Sequence, residues 1–354
     1  MKATFRHKRI SSVVSVVPRE EAAFDDEYPN YDMTPEQARR FKKMMGVDKH
    51  RVAPPEVTSS DLCLRGVEFL LEQGTLRKED VGAMVFVSQT PDYFFPATAN
   101  VLQGKLALPS DVLCLDLSQG CAGFVLGLLQ SFMFLDLPGT KKVLLLNGDT
   151  ASKQLSKRNR VSYPLVGDAG SVTVLESTTE ERPAYFTVAM DGSRHRALMV
   201  PAGAYRKPSS EETRREVVVE DGVVRSEEHV HMDGPAVFSF TMKEVPPQID
   251  EILEYSGETR ESIDAFVFHQ PNEFILTQLG DKMKIPREKL PRNIVGIYGN
   301  CSSVSIPLNL AHNYHDRLSN ESLKICFSGF GVGLTWASMV MPVGPMETCQ
   351  VIEY

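Results

Sequence analysis

The chain has 354 residues, 42% hydrophobic and 24% charged, with a net charge of −8. This is globular composition, sized for two domains or one large one with a core that needs no staples, and the acidic balance argues against a nucleic-acid partner, for which a basic stripe is expected. No two of the six cysteines (Cys63, Cys114, Cys121, Cys301, Cys326 and Cys349) are spaced as C-x-x-C, so neither a zinc ribbon nor a redox pair is indicated, and free thiols in a reducing, cytoplasmic setting are expected.

The N-terminus reads MKATFRHKRISSVVSVVP, and its apolar stretch 13–17 is too short and interrupted for a signal segment. Residues 34–45 predict a helix, with Thr34 as N-cap and Pro35 in the first turn. Residues 59–73 predict another, capped by Ser59 or Ser60, with Leu62, Val67, Leu70 and Leu71 as its apolar stripe. The runs 83–87, 112–117 and 143–146 carry few charges and are bounded by turn residues. They fit strands covered on both faces, as in an α/β sheet with helices between. The greasy segment 124–137 contains Gln130, Ser131 and Asp136. It is shorter than the roughly 20 residues a membrane span needs, so it reads as a buried helix. A boundary is expected near 175–182. Residues 203–232 are charged and poor in large apolar groups, and read as an excursion or lid. The pattern then resumes: the run 265–268 ends in His269, and the run 323–327 leads into a glycine-rich loop and another buried strand. No internal repeat is visible.

Cys121 lies in LCLDLSQGCAGFVLGL, between a buried strand and an apolar helix. Ligands of α/β sheets bind outside the carboxyl ends of strands. A helix N-terminus favours a thiolate and lowers a thiol pKa below the free value of about 8.5. Taken singly, Cys121 reads equally well as an inert core cysteine, and His269 or Asn300 as structural. Together, a Cys, a His and an Asn, each at the end of an apolar strand, match three strand ends converging on one crevice. His229 with His231, and His312 with His315 and Asp316, are weak metal candidates without a third ligand, so no metal site is expected.

The blocks QTPDYFFPATAN, DLSQGCAGFVLGL, HMDGPAVFSF, FHQPNEFI, YGNCSSVSIPLNLA and GFGVGLTWAS resemble, in order, those of β-ketoacyl-(acyl carrier protein) synthase III, from about residue 36 to the end. The resemblance implies the five-layered αβαβα thiolase fold, with two pseudo-equivalent halves at 1–178 and 179–354, and a homodimer. It implies that Cys121 takes an acyl group from a thioester. A malonyl-type thioester is then decarboxylated and condensed onto it. Thiolate attack creates an oxyanion that the backbone N–H groups of Cys121 and Val332 would stabilise. Neutral His269 and the Asn300 amide would each donate a hydrogen bond to the enolate oxygen. Phe95 and Phe330 would line the acyl pocket. Arg160 matches a family arginine near the nucleotide, and Asn272 joins the substrate-binding set. Asp168, in VGDAG, is read as structural. The substrates implied are acyl-coenzyme A or acyl-carrier-protein thioesters, with no tightly bound cofactor and an acyl carrier protein as partner.

Departures from the family pattern point away from fatty-acid initiation and toward a specialised pathway. Arg40 and Met44 stand where Trp and Arg are common, Glu273-Phe274 replaces Leu-Arg, and the excursion is long. The alternatives are an acyltransferase of the same fold that delivers the acyl group to an alcohol or amine, and a silent partner subunit.

Overall fold

The computed structural model describes residues 1–219 and 222–354. Glu220 and Asp221, part of the charged excursion, lie outside the described residues.

Two mixed sheets carry the chain. The first runs Thr348–Glu353, Lys8–Val17, Ala169–Ser177, Lys142–Asp149, Val81–Val87, Leu113–Leu117. The second runs Lys2–Phe5, Ala184–Met190, Thr335–Val343, Leu323–Gly331, Ala265–Phe268. In the first sheet Val81–Val87 runs parallel to both Leu113–Leu117 and Lys142–Asp149, and at the opposite edge Thr348–Glu353 runs parallel to Lys8–Val17; in the second, Ala265–Phe268 runs parallel to Leu323–Gly331. The pairs of Lys142–Asp149 with Ala169–Ser177 and of Leu323–Gly331 with Thr335–Val343 are antiparallel.

The pleat divides each strand between two cores. Val143 and Leu145 face one cluster, and Leu144 and Leu146 the other. Ala265 and Val267 likewise point inward while Phe266 and Phe268 point outward. Side chains alternate with period two, so a strand apolar at every position must be covered twice. The inner cluster joins both sheets through the Gly123–Leu135 and Ser305–Asn313 helices, which lie between them. The outer clusters pack Ser59–Glu72 and Thr98–Lys105 on the first sheet, and Gly234–Ser256 and Glu273–Met283 on the second. The result is five layers, helix–sheet–helix–sheet–helix. Each half repeats one order: an outer helix, a parallel strand, a second outer helix, a central helix, and a pair of antiparallel strands.

Thr34 caps its helix as expected, in a reciprocal box with Gln37. The next helix is capped one residue earlier than expected. The Asp61 carboxylate accepts from the Thr58 N–H at 3.0 Å, and Ser59 and Ser60 are buried inside the first turn. Lys8–Val17 is a ten-residue strand, nearly all buried, where the sequence offered only a short apolar stretch. Among the described residues no helix is long and apolar enough to cross a membrane.

Phe132 ties the central layer to the second sheet, its ring edge-on to Phe5 at 5.7 Å and Phe186 at 5.8 Å. Phe132→Ala should therefore cost roughly 3–5 kcal/mol of unfolding free energy, read as a lowered denaturant midpoint. A loss below 1 kcal/mol would mean that the central layer does not couple the sheets.

Candidate active site

The Leu113–Leu117 strand runs into a tight turn, closed by Gly123 N–H to Gly120 O at 2.6 Å, and Cys121 sits in it. A strand from the other half presses against this turn. A Cβ on Gly329 would lie 2.7 Å from Cys121 O and from Ala122 Cα, and one on Gly331 would lie 2.8 Å from Cys121 Cβ and Sγ. Both positions require glycine because nothing larger fits. Just beyond them the Val332 N–H faces the Cys121 sulfur.

Burial nevertheless dominates the thiol. It pushes the Cys121 pKa up to about 11, and the Val332 N–H only partly offsets this. The expected lowering by the helix N-terminus is corrected by this result. Desolvating the charged form outweighs the helix end when the sulfur lies between two packed backbones.

His269 follows the Ala265–Phe268 strand directly, and its N–H donates to Ser328 O at 2.8 Å. Its ring lies 5.7 Å from that of Phe330. Nδ1 is 2.9 Å from the Ser305 hydroxyl. That hydroxyl donates its own hydrogen to Ser302 O at 2.8 Å, and the Ser302 main chain also faces the imidazole. Nδ1 therefore carries the proton, and Nε2 keeps a lone pair. Burial lowers the His269 pKa to about 4, so the ring is neutral at pH 7. In this tautomer Nε2 is an acceptor.

Asn300 does not follow a strand, as the sequence suggested. It comes after the short Ile294–Tyr298 helix and forms an isolated parallel bridge with Val166. Its N–H donates to Leu165 O at 2.6 Å, and its carbonyl accepts from Gly167 N–H at 3.1 Å. The side-chain oxygen accepts from Ser302 N–H at 3.0 Å. This fixes the amide orientation and leaves the NH2 group to donate elsewhere.

Ser302, Ser305 and Asp149 were not singled out by sequence reasoning. Ser302 adopts φ 51°, a left-handed conformation uncommon outside glycine. Its side chain faces Asp149, the last residue of a first-sheet strand. Asp149 also accepts from Gln89 N–H at 2.8 Å. Burial pushes Asp149 up to about 6, with the Gln89 N–H and the Ser302, Ser88 and Thr90 hydroxyls pulling it down. The available signal was the run of small polar residues after Asn300, which looks like ordinary turn chemistry.

The substrate-binding candidates divide. Phe330 is 2% exposed and packs on His269. Phe95 is 79% exposed, as are its neighbours Tyr93 and Phe94 in large part. Asn272 acts as the N-cap of the Glu273–Met283 helix, accepting from Ile275 N–H at 2.8 Å, and this occupies the oxygen expected to meet substrate. Arg160 is half-buried outside the crevice, with Nη1 3.4 Å from Asp32 O. Asp168 is structural, accepting from Ala53 N–H and from the N–H and hydroxyl of Ser152. His229 and His231 serve the excursion through Ser226, and no three metal-ligating side chains stand together among the described residues.

The family model described as 3-oxoacyl-[acyl-carrier-protein (ACP)] synthase III matches residues 115–192, and its C-terminal counterpart matches 253–343. A β-ketoacyl-[acyl-carrier-protein] synthase III of Caldanaerobacter subterraneus is 31% identical, covering 84% of this chain and 86% of its own length. One from Natranaerobius thermophilus is 32% identical, covering 84% and 88%. The crystal structure of a 3-oxoacyl-(acyl-carrier protein) synthase from Burkholderia xenovorans superposes with a TM-score of 0.93 at 38% identity, covering 100% and 99%. The five layers are thus those of the thiolase-fold condensing enzymes. The chain belongs to the 3-oxoacyl-[acyl-carrier-protein] synthase III family.

The neutral state of His269 has a measurable consequence. Its pKa falls from 6.5 to about 4 on folding, so between those values the unfolded chain binds the extra proton and stability rises with pH. Asp149, raised from 3.8 to about 6, acts in the opposite sense over an overlapping window. The informative quantity is therefore the difference between wild type and His269→Gln. From pH 7.5 to 4.5 the wild type should lose roughly 2–3 kcal/mol relative to the variant, as measured by denaturant unfolding. Parallel pH curves would mean that His269 is not held neutral.

Proposed function

We propose that the chain is an acyl-thioester condensing enzyme in which Cys121 accepts the acyl group and His269 and Asn300 serve the reaction. The observation that carries this reading is the Val332 N–H directed at a sulfur pressed between two glycine-bearing segments, beside a neutral imidazole and an oriented amide. At rest the pair is thiol and imidazole. As sulfur attacks the thioester carbonyl, its proton passes to His269 Nε2 and the oxyanion gathers on the N–H groups of Cys121 and Val332. The donor thiol then departs, taking that proton. In the second half-reaction a malonyl-type thioester loses carbon dioxide. The Asn300 NH2 donates to the enolate oxygen, and the enolate carbon attacks the acyl group on Cys121, releasing the sulfur as a thiolate that takes a proton from solvent to restore the resting thiol.

The lone pair on His269 Nε2 also suits deprotonation of an alcohol or amine, which keeps the plain acyltransferase as a second reading. We assign a specialised pathway rather than fatty-acid initiation. Exposed Arg40 and Met44 offer neither an aromatic plane nor a charged group at both expected positions, and Phe274 stacks on Phe238 at 5.7 Å where an arginine is expected. The substrates of this reading are coenzyme A or carrier-protein thioesters, with no tightly bound cofactor. Six free cysteines suit a reducing cytoplasm. The two halves are assigned to 1–178 and 179–354, with Lys2–Phe5 and Thr348–Glu353 each crossing to the other half's sheet.

Incubation with a panel of acyl thioesters should add one acyl mass to the wild type and none to Cys121→Ser, by intact-protein mass spectrometry. Asn300→Ala should retain acylation within about threefold while losing condensation with malonyl thioester by roughly 100-fold. Equal loss of both half-reactions would remove the enolate role and favour the acyltransferase.

The reading includes a homodimer. Leu113–Leu117 is an uncovered sheet edge, and Tyr93, Phe94 and Phe95 stand exposed with Tyr205 beside Phe94. An unpaired edge and a solvent-facing aromatic cluster both call for a cover. Light scattering at micromolar concentration should give twice the chain mass, and a stable monomer would refute the dimer.

A further inference from the structure

Asp149 ends the Lys142–Asp149 strand and is 1% exposed. One of its oxygens is fully engaged. Oδ1 accepts from the Gln89 N–H at 2.8 Å, the Ser88 hydroxyl at 3.2 Å and the Thr90 hydroxyl at 3.3 Å. It thereby shapes the loop whose Gln89 side chain packs on Gly120, the neighbour of Cys121. The other oxygen, Oδ2, is buried without a hydrogen-bond partner among the described residues. The Ser302 side chain, from the other half, faces this carboxylate.

Residue 302 holds φ 51°, a conformation that glycine adopts without a side-chain penalty. A turn that needed only this backbone would be served by glycine. The serine hydroxyl is therefore kept for a contact, and the contact it faces is a buried carboxylate oxygen that lacks a donor. A hydrogen bond to a carboxylate is stronger than one between neutral groups.

The Ser302 main chain in turn reaches both partners of the sulfur. Its N–H donates to Asn300 Oδ1 at 3.0 Å, the one hydrogen bond of that side chain among the described residues. Its carbonyl accepts from the Ser305 hydroxyl at 2.8 Å, which takes the His269 Nδ1–H at 2.9 Å. The Gln270 N–H also donates to that hydroxyl, at 3.2 Å. Ser305, and with it His269, thus has a tie independent of Ser302. The Asn300 amide has none.

We propose that Asp149 is a positioning residue: its carboxylate anchors the Ser302 hydroxyl, and through Ser302 it aims the Asn300 amide at the reacting carbonyl beside Cys121. One side chain of the first sheet thereby sets the register between the two loops that meet at the sulfur. The proposal rests on the reading of Asn300 as the enolate donor, and the test separates the two.

Two variants cut the joint from opposite sides. Asp149→Asn keeps an oxygen for the 88–90 loop and turns an NH2 group toward Ser302. Ser302→Gly removes the hydroxyl and suits the backbone. In each, kcat for condensation with malonyl thioester should fall about tenfold, while the KM for that thioester and the rate of Cys121 acylation stay within about threefold. The double variant should lose no more than the worse single one. Asp149→Asn added to Asn300→Ala should cost less than about twofold further, because the amide it aims is gone. A full tenfold further loss in that background would make Asp149 a general support of the fold and overturn the proposal. Unchanged condensation in Ser302→Gly, or acylation falling as far as condensation, would also overturn it. Should Asp149→Asn fail to fold, Ser302→Gly decides alone, its tenfold loss supporting the joint and its full activity refuting it. If no thioester acylates the wild type, the function reading fails, and crystal structures of wild type and Asp149→Asn then decide. A turned Asn300 amide upholds the positioning role, and an unmoved one overturns it.

Discussion

Between the Cys121 turn and the strand that carries Gly329 and Gly331 there is no room for a Cβ. This close approach brings a donor N–H of one half onto a sulfur of the other. The remaining ties cross the same seam. Asn147 Nδ2 donates to Ser303 Oγ at 3.1 Å, and the Ser302 side chain faces Asp149. The five layers set this distance, because the two central helices fix the spacing of the sheets from which all these residues emerge. A buried phenylalanine or leucine in that layer therefore acts on the chemistry at one remove.

Burial at the seam decides the resting charges. Thiol and imidazole are both driven toward their neutral forms, Cys121 up to about 11 and His269 down to about 4. No ion pair waits in the crevice. Charge has to be created during attack, so donors already in place matter most. The Val332 N–H is one. The Asn300 NH2 is another, oriented by a serine whose backbone is itself held in an uncommon conformation. The Ser305 hydroxyl selects the imidazole tautomer by giving its hydrogen to Ser302 and accepting from Nδ1.

Part of this was legible in sequence. The run 265–268 announced a strand covered on both faces because every residue is apolar, and the structure starts and ends it there. Lys8–Val17 was not legible, since three serines interrupt its valines. Those serines are buried in the sheet, and Ser11 donates to Val174 O at 3.3 Å. Cys121, His269 and Asn300 stood out only in combination, through motif order. Motif order carries no information on desolvation, so the direction of the Cys121 pKa was misjudged. Phe95 and Asn272 were assigned by position in a block, which carries no information on the exposure of the one or the helix cap made by the other.

The absence of a visible repeat has the same root. The Gly123–Leu135 and Ser305–Asn313 helices occupy equivalent places in the two halves, each entering the central layer from the seam. Their approaches carry different chemistry. One is a glycine turn that exposes a sulfur to a backbone donor, and the other is a run of small polar residues that orients an amide and an imidazole. Packing keeps both helices largely buried, while the division of labour at their N-termini removes any likeness in sequence. A fold built twice can in this way hold an acyl acceptor and its proton and hydrogen-bond partners on opposite sides of one seam, each supported by its own sheet.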